Sequence, residues 1–173
     1  MSTDQTHGST IIVAADHINQ GDKLKSSLEA KGFRAGQSAS GVTTLVKGNV
    51  TVQLADSYEK ASELIRKTEK VSAVFINTTS RSDDPATLVM ADAAIAHNNR
   101  PAIYTLYLSH KTHDYIAQRL GEDQKGRLEH LMPEGQQLML QRVTDKISAI
   151  ADQQAQARPK AQAQAAAAFP KQS

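Results

Sequence analysis

The 173-residue sequence has no cysteine, which removes disulfides, thiol nucleophiles and sulfur-ligated metals from consideration. It has no tryptophan either, and at 4% aromatic it lacks the stacking platform on which single-stranded nucleic acids are held. No apolar run approaches the roughly 20 residues that cross a bilayer. The opening MSTDQTHGST has neither the charged nor the apolar region of a signal peptide. A soluble cytoplasmic protein without a membrane partner is expected. Charge of one sign is also missing: 20 basic residues against 18 acidic ones leave a net charge of +2, with the two signs interspersed. Phosphate backbones are bound by clustered cations, so nucleic acid is not the expected partner. No Gly-x-Ser-x-Gly, Walker loop or zinc-protease helix motif occurs, and the sequence predicts neither a cofactor nor an enzymatic activity.

What is present begins with the stretch Val71 to Ser109. Two apolar runs, Ala73 to Ile76 and Ala102 to Leu108, are near-continuous, as strands covered on both faces are. They are separated by more than a dozen residues containing a helix, the mark of a parallel β-α-β unit. Asp84 caps that helix and Pro85 opens it, where a missing amide costs nothing. Leu88, Val89, Ala91 and Ile95 are expected on its apolar face, and His97-Asn98-Asn99-Arg100 before Pro101 stops it.

The same alternation runs through residues 9 to 151. Ile11 to Ala15 is a buried strand ending at Asp16 and His17. Gly21-Asp22 introduces a helix carrying Leu24 and Leu28, with Gly32 as its stop. Val42 to Val46 and Val50 to Leu54, joined by Lys47-Gly48-Asn49, predict a hairpin. The alternative is a strand over Phe33 to Ser38 followed by a short helix. Asp56 is expected to cap the next helix, with Glu59 reaching back, and Tyr58, Ala61, Leu64 and Ile65 to form its buried face. A helix over Thr112 to Leu120, a charged loop from Gly121 to Gly126 and a short strand over Arg127 to Met132 follow. The last helix, Gly135 to about Ala151, shows Met139, Val143, Ile147 and Ile150 at helical spacing. Residues 1 to 8, and an Ala/Gln-rich, mildly basic tail over 152 to 173, lack the apolar side chains to offset chain entropy and are expected to be disordered; Phe169 is the tail's one candidate docking residue.

The predicted fold is α/β: a three-layer α/β/α domain around a five-stranded, mainly parallel sheet of order 2-1-3-4-5, with a possible extra hairpin around 42–54. In element order and spacing this resembles the receiver domain of two-component response regulators. Receivers place metal-binding acids after the first strand, a phospho-accepting aspartate after the third, a hydroxyl after the fourth and a lysine before proline after the fifth. Here Asp16 stands at one acidic position, Asn77 at the acceptor position, Ser109 or Thr105 at the hydroxyl, and Met132 at the lysine before Pro133. An amide forms no acyl phosphate, so the resemblance implies a pseudo-receiver, a fold kept as a protein-interaction surface. In another register Phe33 to Ser38 is the second strand, Asp56 becomes the acceptor, Thr78 or Thr79 the hydroxyl and Lys111 the lysine.

A second resemblance is to nucleoside deoxyribosyltransferases, through Asp84-Pro85-Ala86-Thr87 and Arg100-Pro101-Ala102-Ile103. That family's catalytic glutamate position holds Met90, and Asp92 replaces a glycine, so the nucleophile is missing. Ligands of open α/β sheets sit beyond the carboxyl ends of the strands where strand order reverses. For this chain that crevice is lined by Asp16, His17, Asn77, Thr78, Thr79 and Ser80, a candidate site for a small anion or nucleotide. His110 and His113 with Asp114 could share a helix face, but no third ligand is in view and no metal is expected. The expected partner is another protein, and an added edge strand over Gly41 to Asn49 would offer a surface for a homodimer.

Overall fold

A computed structural model of the chain describes residues 8–14, 18–37, 39, 41–77, 85–106, 110–131 and 140–154; for 18–21, 77, 106 and 110–112 it describes the backbone alone. The elements are β1 (Ser9–Ala14), α1 (Ile18–Ala30), β2 (Arg34–Ala35), β3 (Val42–Lys47), β4 (Val50–Ala55), α2 (Tyr58–Lys67), β5 (Val71–Asn77), α3 (Pro85–Ala96), β6 (Ala102–Leu106), α4 (His110–Leu120), a 3-10 turn (Glu122–Arg127), β7 (Leu128–Leu131) and a final helix α5 over 140–154. The strands form one sheet in the order β2-β3-β4-β1-β5-β6-β7.

Strands β4, β1, β5, β6 and β7 are parallel to their neighbours in that series. Counted among themselves in chain order they run 2-1-3-4-5, as expected. The sheet nevertheless has seven strands, not five, because β3 and β2 add to the free side of β4 in antiparallel pairing. The expected hairpin is present, with Lys47 opposite Val50. Gly48, at the first central position of its two-residue turn, has φ 61, a conformation that glycine takes without strain and that a II′ turn requires there. The alternative reading holds in one detail: a two-residue strand does follow Phe33, but it pairs antiparallel with β3.

The period of two along each strand sorts the core into two layers. Ile11, Val13, Val52, Leu54, Phe75 and Tyr104 share one cluster with Leu24 and Leu28 of α1 and Val143, Ile147 and Ala151 of α5. Ile12, Ala14, Val74, Ile76 and Ile103 share the other with residues of α2, α3 and α4. The sheet is therefore a middle layer between α1 with α5 and α2 with α3 and α4. Phe75 and Tyr104, neighbours across β5 and β6, stack with ring centroids 4.7 Å apart.

Several local expectations need correction. Ser57, not Asp56, caps α2: the Lys60 amide donates to Ser57 Oγ at 3.2 Å. Asp56 lies one residue too early for its carboxylate to reach those amides. Helix α1 begins at Ile18, with Gly21 inside its first turn, an interior glycine that costs about 1 kcal/mol relative to alanine and is outweighed by the burial of Leu24 and Leu28. Its stop is as expected: Gly32 has φ 98, its amide donates to Glu29 O, and the Phe33 amide donates to Leu28 O, a Schellman motif that seats Phe33 against Leu28 in one core cluster. On α3 the face is rotated from the expected one: Met90, Ala91 and Ala94 are buried while Val89 is 42% exposed. The charged loop after α4 is the 3-10 turn. Asp84, residues 1–7 and the tail beyond 154 lie outside the described residues.

The polar run after α3 does more than end a helix. His97 Nε2 donates to Thr68 O at 2.7 Å while its Nδ1 accepts the Asn99 amide at 3.0 Å, and the Asn99 side chain donates to Val71 O at 2.9 Å. One tight turn thus ties the end of α2, the start of β5 and the end of α3 together.

Candidate functional site

Strand β1 has β4 on one side and β5 on the other. The chain leaves β1 through α1 toward the β4 side and leaves β4 through α2 toward β5, so strand order reverses at β1. The carboxyl edge around β1 and β5 is the place where such sheets hold ligands. Asn77 is the last residue of β5, in register with Leu106 of β6. Asp16 and His17, which follow β1 in the chain, and Thr78, Thr79 and Ser80, which follow β5, lie outside the described residues. So do Asp84, Ser109 and Met132, and the side chains of Asn77 and Lys111.

Asp56 is described in full. Its amide donates to Gly41 O at 2.9 Å, and its carboxylate, 62% exposed, stands 4.0 Å from Lys60 Nζ. It follows β4, which pairs antiparallel with β3 and parallel with β1. The register in which β4 is the third parallel strand is therefore not the one observed: residues 34–35 form an antiparallel edge strand, and the strand between β1 and β6 is β5.

Of the two candidate hydroxyls, Thr105 is described and is wholly buried. Its Oγ1 lies 3.3 Å from His130 Nδ1, across the β6–β7 pair in which the two residues are in register. His113, in the first turn of α4, sets its ring edge against His130, centroids 5.6 Å apart and planes at 68°. His113 Nδ1 is covered and has no hydrogen-bond partner among the described residues. Sequence reasoning singled out His113 but paired it with His110. It passed over His130, whose signal was its place on the last strand, opposite Thr105. No group of three or more histidine, aspartate or glutamate side chains able to hold a metal occurs among the described residues.

The electrostatics on the flanks is structural. Burial raises the Tyr104 pKa above the ordinary phenol range, and Lys146, 5.1 Å over its ring, partly offsets this. Burial lowers that of Arg127, with Arg100 beside it adding to the effect. A groove of about 410 Å³ lies between the ends of α2 and α3, lined by Arg66, Thr68, Glu69, His97 and Asn98. Another of about 510 Å³ lies between β7 and α5, lined by Glu129, Leu131, Arg142, Asp145 and Lys146. Neither is at the carboxyl edge around β1 and β5. The edge of β3 is covered: Gly36 and Ala39 donate amides to Thr44 O and Val42 O, and β2 pairs with Val46 and Leu45. The expected edge over 41–49 is thus occupied by the chain's own Arg34, Ala35, Gly36 and Ala39. Among the described residues no helix is long and apolar enough to cross a membrane.

No protein-family model matches the chain, and a search of curated proteins gives no match. Among solved structures the chain is similar to an adenylate cyclase from Rhodopirellula baltica, 15% identical with a TM-score of 0.48 over 88% of this chain and 98% of that one. It is also similar to the translation elongation factor SelB from Methanococcus maripaludis in its apo form, 9% identical with a TM-score of 0.37 over 85% of this chain and 33% of that one. Likenesses this distant say nothing of activity.

Proposed function

We propose that the chain is a pseudo-receiver, a non-catalytic cytoplasmic module that works in signalling by binding another protein. The observation that supports this most is the place of Asn77. It ends β5, the strand beside β1 and third in the parallel order, where a phospho-accepting receiver needs a carboxylate. An amide has no ionised oxygen to attack phosphorus, and the buried hydroxyl of Thr105 faces His130. With no nucleophile there is no covalent switch, and the selective value of such a domain then lies in its surface. Affinity capture with the full chain as bait, followed by a binding isotherm with the purified candidate, tests this; the absence of any partner that binds the pure chain would count against it.

A second reading is favoured by the topology. Strand order reverses at β1, so the segments following β1 and β5 are where a small anion or nucleotide would bind. Asp16, His17, Asn77, Thr78, Thr79 and Ser80 would supply its contacts. Amide NMR shifts at these positions on addition of nucleotides alone would favour ligand binding over partner binding.

A further inference from the structure

We propose that the outer faces of α2 and α3 form the interface of a homodimer, covered by a second copy of this chain about a two-fold axis that crosses both helices. The inference is independent of the pseudo-receiver reading. It starts from the composition of α3, PATLVMADAAIA, in which Thr87 and Asp92 are the only polar side chains. A surface helix ordinarily turns polar residues outward, and one that is apolar all round is a covered one. Thr87, Met90, Ala91 and Ala94 are buried, yet Pro85, Val89 and Ala96 on the opposite side are exposed, Val89 to 42%. Asp92, at the margin of that face, is already bound by Tyr115 and Arg119 of its own chain, so its charge does not oppose an apolar neighbour.

The charges on α2 make a second copy the fitting occupant. Helices α2 and α3 follow parallel strands and lie in one layer, so they run side by side in the same direction. The groove between their ends is lined by Arg66, Lys67, Glu69, Ala93 and Ala96. Helix α2 carries Glu59 in its first turn and Arg66 and Lys67 in its last, and neither Glu59 nor Arg66 has an ion-pair partner among the described residues. A two-fold axis across the helices sets each one against its copy in reverse. Val89 then falls against the partner's Ala93 and Pro85 against the partner's Ala96, where small side chains let the helix axes approach to about 8 Å. The same operation brings Glu59 of each copy to the partner's Arg66, the self-complementarity that a closed dimer requires. Glu63, near the middle of α2, is held by Lys67 of its own chain at 2.6 Å. A specific interface buries roughly 1,200 Å² or more, more than one short helix pair supplies, so α2 and α3 act together.

The test uses the full chain, with mass read by sedimentation equilibrium over a wide range of concentration and amide NMR spectra recorded on dilution. The expected result is a reversible monomer–dimer equilibrium, with dilution shifts at Arg66, Val89 and Ala93 and none on β7. Val89→Arg, at an exposed position, should keep the fold by circular dichroism and weaken dimerisation about tenfold or more, since each copy would bury an unpaired charge. Glu59→Arg and Arg66→Glu should each weaken it about threefold or more, and the chain carrying both exchanges should regain the affinity of the unaltered one. A chain that stays monomeric at every concentration, a dimer that a folded Val89→Arg leaves intact, or a double exchange no tighter than either single one would overturn the interface. The dilution arm needs no variant and so stands even if a substitution unfolds the protein.

Discussion

The hydroxyl of Tyr115 donates to the carboxylate of Asp92, 3.0 Å from one oxygen and 3.1 Å from the other, and so joins α4 to α3. Arg119 completes the link, 3.3 Å from the same carboxylate and 5.6 Å over the Tyr115 ring. Ionising Tyr115 would remove the donor and set two negative charges together.

The hydrogen bond to Asp92 is the main cause of a raised Tyr115 pKa, with desolvation and the Asp92 charge adding to it. A folded-state pKa above the unfolded one means that the folded protein holds the proton longer. The stabilisation is complete below the ordinary tyrosine pKa and is lost as pH rises through the folded value. Urea unfolding measured from neutral pH to above pH ~10 should show stability falling on the alkaline side. In Tyr115→Phe the fall should be smaller, and the neutral-pH stability lower by about 1 kcal/mol.

Arg127 is the peg that closes α3. Its guanidinium donates to Ala94 O at 2.9 Å and Ile95 O at 3.4 Å, carbonyls in the last turn of α3, and also to Pro101 O at 3.1 Å and Gln124 Oε1 at 2.6 Å. Lysine has the charge but not the fork. Arg127→Lys should cost about 1–3 kcal/mol of unfolding free energy, and chemical denaturation of the variant checks this.

Arg100 has φ 50, the left-handed region, and its charge works against that of Arg127. Arg100→Gly should relieve both and leave the protein as stable or up to about 1 kcal/mol more stable, the glycine's extra unfolded-state entropy opposing the gain. A rise in thermal midpoint over the unaltered chain is the expected reading; a loss greater than 1 kcal/mol would show that the arginine side chain is needed there.

The start of α2 separates two adjacent residues. Ser57→Ala should lower stability by about 1 kcal/mol through loss of the cap, whereas Asp56→Ala, which removes an exposed carboxylate 4.0 Å from Lys60, should stay within about 0.5 kcal/mol. Equal losses at both positions would contradict the assignment of the cap.

The parallel sheet was legible because β1, β5 and β6 are covered on both faces, and such strands must read as unbroken apolar runs. The hairpin was legible from Gly48-Asn49 between alternating segments. Strand β2 was legible only in the alternative reading of Phe33 to Ser38, and neither its length nor its antiparallel pairing was, since two exposed residues, Arg34 and Ala35, carry no periodic signal. The cap was misplaced by one residue because Asp56 and Ser57 are both good caps, and only the point where β4 ends decides between them. At the site, Asn77 was read correctly as the end of its strand, but the meeting of His113, His130 and Thr105 depends on how α4 crosses β6 and β7, which no local pattern encodes.

The central claim is tested most directly by incubating the full chain with magnesium and acetyl phosphate and measuring its intact mass and amide spectrum. A non-phosphorylated pseudo-receiver should show no added phosphoryl group and no phosphate-dependent shifts. A covalent phosphoryl group on a carboxylate of this chain, at Asp56 above all, would contradict it.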